Sequence, residues 1–127
     1  MAWFGKRQRP DLWEVVDVRP LGDIEAAQRI REICASAGSI ADKSTTDGRR
    51  AESEKATRTE RYQAAIRRAL EIAMKISDDA MRDIAVSQII GLCVKVDHTK
   101  TARILVRAIK SDETRSELVA GNRALID

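Results

Sequence analysis

Aromatic residues make up only 3% of this 127-residue chain, and prolines number two, Pro10 and Pro20. A chain so poor in rings and rich in Ala, Arg, Ile and Glu favours helices over a β-sandwich or barrel. There is one histidine, His98, and no pair of cysteines or histidines at metal-binding spacing. The two cysteines, Cys34 and Cys93, stand far apart, each on the apolar side of an expected helix. They behave there as small hydrophobes and point to a reduced, cytoplasmic protein without a disulfide framework. No apolar run approaches the length of a membrane span. The opening stretch, MAWFGKRQRP, turns basic too soon for the apolar core of a signal peptide. Charge of one sign is also lacking: 23 basic side chains face 20 acidic ones, for a net charge of +3. That is an ordinary mixed surface, unlike the coat of a dedicated nucleic-acid binder.

What is present is 43% hydrophobic residues, enough for one folded domain with its own core. Residues 1–22 are the least regular part. They form an N-terminal arm whose segment PDLWEVVDVRP is either extended or, because Asp11 and Glu14 make a capping pattern, briefly helical. A first helix is expected over 23–38, from a cap at Asp23 to a stop at Gly38, with Ala26, Ile30, Ile33, Cys34 and Ala37 on one face. Residues 39–56, rich in Ser, Thr, Asp and Gly, form a polar linker. The box Thr57-Arg58-Thr59-Glu60 then opens a second helix with an apolar stripe from Tyr62 to Ile76 and Arg61, Arg68, Glu71 and Lys75 opposite. A third helix, about Asp79 to Val96, is apolar nearly all round and is expected at the centre of the domain. A fourth follows from Thr99 to Lys110 and a fifth from about Asp112 to Ile126.

The corners between these helices repeat. ISDDAMR (76–82) returns as IKSDETR (109–115), 33 residues later, so that Ile76, Asp79 and Arg82 correspond to Ile109, Asp112 and Arg115. Each copy ends a helix at Ile, supplies Ser or Asp to cap the next, and places an Arg one turn in, where it can pair with acids nearby. A period of that size indicates stacked helical hairpins. Residues 57–127, with ALEIAMKISDDAMRDIAVSQI as the most telling run, resemble tetratricopeptide-like or HEAT-like α-hairpin repeats. The Gly-x-x-Tyr and terminal Pro of the tetratricopeptide signature are absent, and another antiparallel bundle fits the same pattern. The expected fold class is therefore all-α: about five helices, arranged as antiparallel hairpins stacked into a short α-α superhelix or bundle, with two hairpins in 57–127. The resemblance implies peptide or protein binding and no catalytic residues.

Little in the chain supports catalysis. His98 beside Asp97 suits a general base, but it also suits a turn residue at a helix start, and no nucleophile or phosphate loop accompanies it. Asp78, Asp79 and Asp83 have the chemistry for a hard cation. Their counterparts Asp112, Glu113 and Glu117 show that helix capping explains the same acidity. No catalytic residue, metal or cofactor is expected, and a helical enzyme is the least favoured class.

Two surfaces are candidates for binding. Asp83, Ser87, Gly91 and Lys95, each four apart, form a polar seam of small residues on the third helix. It serves either a partner peptide or the protein's own first helix. Lys100, Arg103, Arg107 and Lys110 form a basic stripe on the fourth helix, suited to phosphates or simply to solvent. The leading expectation is a non-enzymatic protein–protein interaction or scaffold module, binding another protein or itself as a homodimer through Leu118, Val119, Leu125 and Ile126 of the last helix. The alternative is a small nucleic-acid-binding regulator that uses the basic stripe. Trp3 and Phe4 beside Lys6, Arg7 and Arg9 are too short a segment for stable membrane anchoring.

Overall fold

The computed structural model describes residues 11–15, 17, 19–46 and 52–126. The aromatic and basic stretch from Trp3 to Arg9 lies outside them. The described residues form five α-helices and no strand: α1 (Asp23–Thr46), α2 (Glu52–Ala73), α3 (Asp79–Lys95), α4 (Thr99–Val106) and α5 (Asp112–Gly121). Short 3-10 turns precede α1 at Leu12–Glu14 and follow α5 at Arg123–Leu125. The fold is all-α. No described helix is long and apolar enough to cross a membrane.

Contacts between the helix ends give the topology. Asp23, at the start of α1, bonds Ser77 and Asp78 at the start of α3. Near the other end, Asp42 of α1 pairs with Lys95 of α3 at 3.0 Å. These two helices therefore run parallel. Tyr62, early in α2, meets His98 at the far end of α3, so α2 runs the opposite way. The residues after α4 return to Asp83 near the start of α3, so α4 also opposes α3. Helix α3 thus lies parallel to α1 and antiparallel to α2 and α4, as in stacked hairpins.

The core joins these four helices. Ile30, Ile33 and Ala37 of α1 are wholly buried, as are Ala65, Ala69 and Ala73 of α2 and Ile89, Ile90 and Cys93 of α3. Many of the contact positions on α1 and α2 are alanines, which let backbones come close without a large side chain between them. Helix α3 packs on α1, α2 and α4 and is the central element, but it is not buried all round: Ile84, Gly91 and Lys95 leave one face exposed.

The two corners are copies in detail. After α2, Lys75 and Ile76 donate to carbonyls three residues back, and after α4, Ala108 and Ile109 do the same. Ile76 and Ile109 are both buried. The Asp78 side chain caps α3 through the Met81 amide at 2.8 Å, and Ser111 caps α5 through Thr114 at 3.2 Å. Arg82 reaches back to the Ile76 carbonyl and pairs with Asp79, while Arg115 reaches back to the Ile109 carbonyl and pairs with Asp112. Four core positions of the helix before each corner also correspond: Ala69, Ile72, Ala73 and Ile76 match Ala102, Leu105, Val106 and Ile109, all buried.

Several boundaries differ from those expected. The polar stretch 39–56 is helical over 39–46 and 52–56, so the division into a first helix at 23–38 and a linker does not hold. Helix α1 continues through Gly38 because Ala41 is buried and Ile40 packs against the core. That burial outweighs the cost of a mid-helix glycine, about 1 kcal/mol. Gly38 faces Lys95, whose side chain would lie 3.6 Å from an added Cβ. At the start of α2, the expected capping box lies inside the helix, where the Thr59 hydroxyl donates to the Lys55 carbonyl. Helix α1 packs on α2 and α3 as part of the same core. Helix α4 ends at Val106 and α5 at Gly121, both short of expectation. No residue of α5 is buried, although Leu118 and Val119 pack partly on the core. Leu125 is tucked in by the final turn, and Arg103 holds that turn through the Ala124 carbonyl at 2.8 Å.

Candidate functional site

The best-defined binding geometry lies where the N-terminal segment crosses α1 and α2. The Asp11 amide donates to the Glu14 carboxylate at 2.6 Å, which sets the 3-10 turn. That turn drives Trp13 inward until it is 5% exposed. The Arg61 guanidinium lies 5.9 Å from the Trp13 ring centre, within cation–π range, and also grips Asp11 with two hydrogen bonds of 2.6 and 3.1 Å. Beyond the turn, Asp17 sits between two helices. Its carboxylate is 2.8 Å from Arg29 of α1 and 2.9 Å from Arg68 of α2.

The spacing on α2 explains the fit. Arg61 and Arg68 are two turns apart on one face, about 10 Å along the helix axis. Asp11 and Asp17 sit at the two ends of that distance, with the tight turn at Leu12–Glu14 between them. Past Asp17 the chain turns at Arg19 and Pro20 into α1. Arg19 makes a two-bonded pair with Glu25 at 2.8 and 3.1 Å. That pair, joined by the Gly22 amide, holds the Glu25 carboxyl below its usual range and raises the Arg19 guanidinium above its own.

Alongside this turn a cleft of about 460 Å³ remains open. Leu21, Ala26 and Ile72 contribute its apolar lining, and Arg19, Arg68, Glu71 and Lys75 its charges. Lys75 has no acidic partner among the described residues. The sequence places Arg61, Arg68 and Lys75 on one face of the expected second helix, which in the structure ends at Ala73 just before Lys75, but does not connect them with the arm. The available signal is the pair of aspartates flanking Trp13 between the two prolines, matched against arginines at a seven-residue spacing.

The residues singled out from sequence lie elsewhere and do not converge. His98 stands at the N-terminus of α4, with Nδ1 3.1 Å from the Val96 carbonyl and its ring edge-on to Tyr62. Asp97 beside it adopts a positive φ of 65° to close α3, a conformation that Asp tolerates better than most residues. Asp78 caps its helix, Asp79 pairs with Arg82 and lies 3.7 Å from Lys110, and Asp83 is buried against the Lys110 and Ser111 amides. These three carboxylates therefore face different partners. Among the described residues, no group of three or more His, Cys, Asp or Glu side chains is placed to hold a metal ion.

The polar seam is not one surface either. Asp83 points inward, the Ser87 hydroxyl donates to the Asp83 carbonyl at 2.8 Å, Gly91 faces open space, and Lys95 pairs with Asp42. The first helix does not cover Gly91; the close approach is at Gly38 instead. The basic stripe is interrupted where α4 stops. Lys100 and Arg107 are exposed, Arg103 holds the final turn, and Lys110 sits beyond the helix near Asp79. The apolar face expected on the last helix is reduced as well. Leu125 belongs to the core, and Ile126 alone of the four is an exposed large hydrophobe, at 55%.

Both thiols are poor nucleophiles. Burial pushes Cys34 up to about 11, and burial with Cys34 nearby pushes Cys93 up to about 12.

No family model matches the chain, and no curated protein or solved structure matches it.

Proposed function

We propose that this chain is a non-enzymatic protein-interaction module whose binding surface is the face of α1 and α2 crossed by the N-terminal segment. The observation that supports this reading is the seating of Trp13 between Asp11 and Asp17 on Arg61, Arg68 and Arg29. A buried aromatic anchor with charge-assisted pairs at its edges is the usual chemistry of segment recognition. Here the recognised segment belongs to the same chain. The nucleic-acid alternative has less support, because Arg103 and Lys110 of the basic stripe already have protein partners.

Proximity labelling in the source cell tests the reading. The full chain is compared with a variant carrying Arg29→Glu and Arg68→Glu, each checked for folding by circular dichroism. Proteins enriched with the parent and lost with the variant are expected. Equal enrichment by both would remove this face as the binding surface.

A further inference from the structure

We propose that the segment from Asp11 to Asp17 is a built-in competitor, and that its site accepts an acidic, aromatic-containing segment of another protein, which also reaches Lys75. This rests on the interaction-module reading above and specifies the partner's chemistry.

Arg61 and Arg68 on α2 and Lys75 in the turn just past its end follow one another at intervals of seven residues, and Lys75 lines the same cleft as Arg68. A seven-residue step keeps side chains on nearly the same face of a helix. The arm runs in the same direction as α2 and fills the first two positions in order, Asp11 on Arg61 and Asp17 on Arg68. It then turns away at Pro20 into α1, and the third position is left beside the open cleft. An external segment is not obliged to turn there. Following the same path, it would continue over Leu21 and Ile72 and place a further carboxylate at Lys75.

The charge pattern argues for this ligand class. In a chain with nearly balanced charge, Arg29 and Arg61 pair with no acid other than Asp17 and Asp11 among the described residues. Removing the arm would leave Arg61 without an acid and Arg29 with only the charge of Glu25 one turn away, beside the apolar slot of Trp13, a site suited to carboxylates flanking an aromatic ring. The arm's hold is limited. Among its described residues Trp13 is the one buried side chain, Val15 is 40% exposed, and the arginines that grip it remain 23–37% exposed, so solvent weakens those pairs. Tethering favours the arm through a high local concentration. An external segment with one more charge contact can offset that advantage.

The test uses the full chain and a labelled synthetic peptide that repeats residues 11–17 and continues through a Gly-Ser spacer into two glutamates. A second peptide ends in two glutamines. Fluorescence anisotropy gives the affinity of each. If the arm leaves its site free about a tenth of the time, loosening it with Trp13→Ala should tighten peptide binding about tenfold. Asp17→Asn should do the same with less risk to folding. The glutamate peptide should bind better than the glutamine peptide, and Lys75→Glu should abolish that difference. Folded Trp13→Ala and Asp17→Asn variants that bind no more tightly than the parent would overturn the competitor role. Equal binding of both peptides would overturn the part assigned to Lys75. Peptide binding that splits a dimer in sedimentation would overturn the external partner in favour of arm exchange between copies. If the peptides fail while proximity labelling still distinguishes the charge-reversed variant, the interaction-module reading stands and only this ligand assignment falls.

Discussion

The carboxylate of Asp83 accepts the backbone amide of Ser111 at 3.0 Å, from a side chain only 6% exposed. Its other oxygen takes the Lys110 amide at the same distance. One buried acid on α3 thus satisfies two amides at the corner between α4 and α5. Asp23 on α1 does the same for Ser77 and Asp78 at the corner between α2 and α3. Replacing Asp83 with Ala leaves both amides without a partner in a largely dry site. It should cost about 2–4 kcal/mol, read as a lower midpoint in chemical denaturation. Asp83→Asn keeps one acceptor and should cost less. A midpoint unchanged in Asp83→Ala would show that the corner holds itself.

Acid should weaken the first corner. Hydrogen bonds from Ser77 hold the Asp23 carboxyl below the usual aspartate range, and Arg82 does so for Asp79. Between the lowered folded value and the ordinary unfolded one, the unfolded chain binds more protons. Stability from these groups is therefore present above the ordinary aspartate range and lost as pH falls through the folded values. Thermal melts between about pH 5 and pH 2 should show a shallower decline in Asp23→Asn than in the parent. Parallel declines would remove Asp23 as a contributor.

Gly91 offers a stabilising change. It is exposed inside α3, and a Cβ there would meet nothing within 4 Å. Gly91→Ala should raise stability by about 0.5–1 kcal/mol through the smaller backbone entropy loss. A rise in melting temperature checks this. A fall would mean that α3 needs a bare backbone there.

The core gives the opposite sign. Ala85 is 1% exposed and Leu92 4%. Ala85→Asp puts a charge without a partner among α3's neighbours and should unfold the chain. Leu92→Ala and Leu125→Ala should each cost about 2–5 kcal/mol. For Leu125 this separates a core residue from a surface one: parent-like melting would return it to the interface role first expected.

The thiols should resist labelling. With Cys34 raised to about 11 and Cys93 to about 12, almost no thiolate exists near neutral pH. A maleimide or disulfide reagent should react slowly with Cys34 and with Cys93 only after denaturation. As pH rises above the ordinary thiol value of about 8.5, the unfolded chain loses protons that the folded chain keeps. Stability should therefore fall with rising pH in that range. Rapid labelling of both thiols in the native protein would contradict their burial.

The corner repeat is determined by the sequence itself. A buried Ile, a capping Asp78 or Ser111 and an Arg that returns to the Ile carbonyl all lie within seven residues, so local chemistry makes the turn legible, while the distant acids Asp23 and Asp83 complete its amide bonds. The central place of α3 is also legible, since its apolar residues cover more than one face, although Ile84 and Gly91 lie exposed. The limits of α1 and α2 are different. Residues 39–46 have weak helix preference, and they are helical because Ile40 packs on the core, Ala41 is buried, and Asp42 reaches Lys95 of α3 more than fifty residues away. The arm's site depends on tertiary structure even more. Asp11 and Asp17 meet Arg61 and Arg68 across about fifty residues, and Arg29 joins them only because α1 lies beside α2. Capping acts within one turn and is written in adjacent residues. Charge pairing between helices depends on which faces packing has already brought together, and that was decided by burial of the alanine and isoleucine faces of α1, α2 and α3.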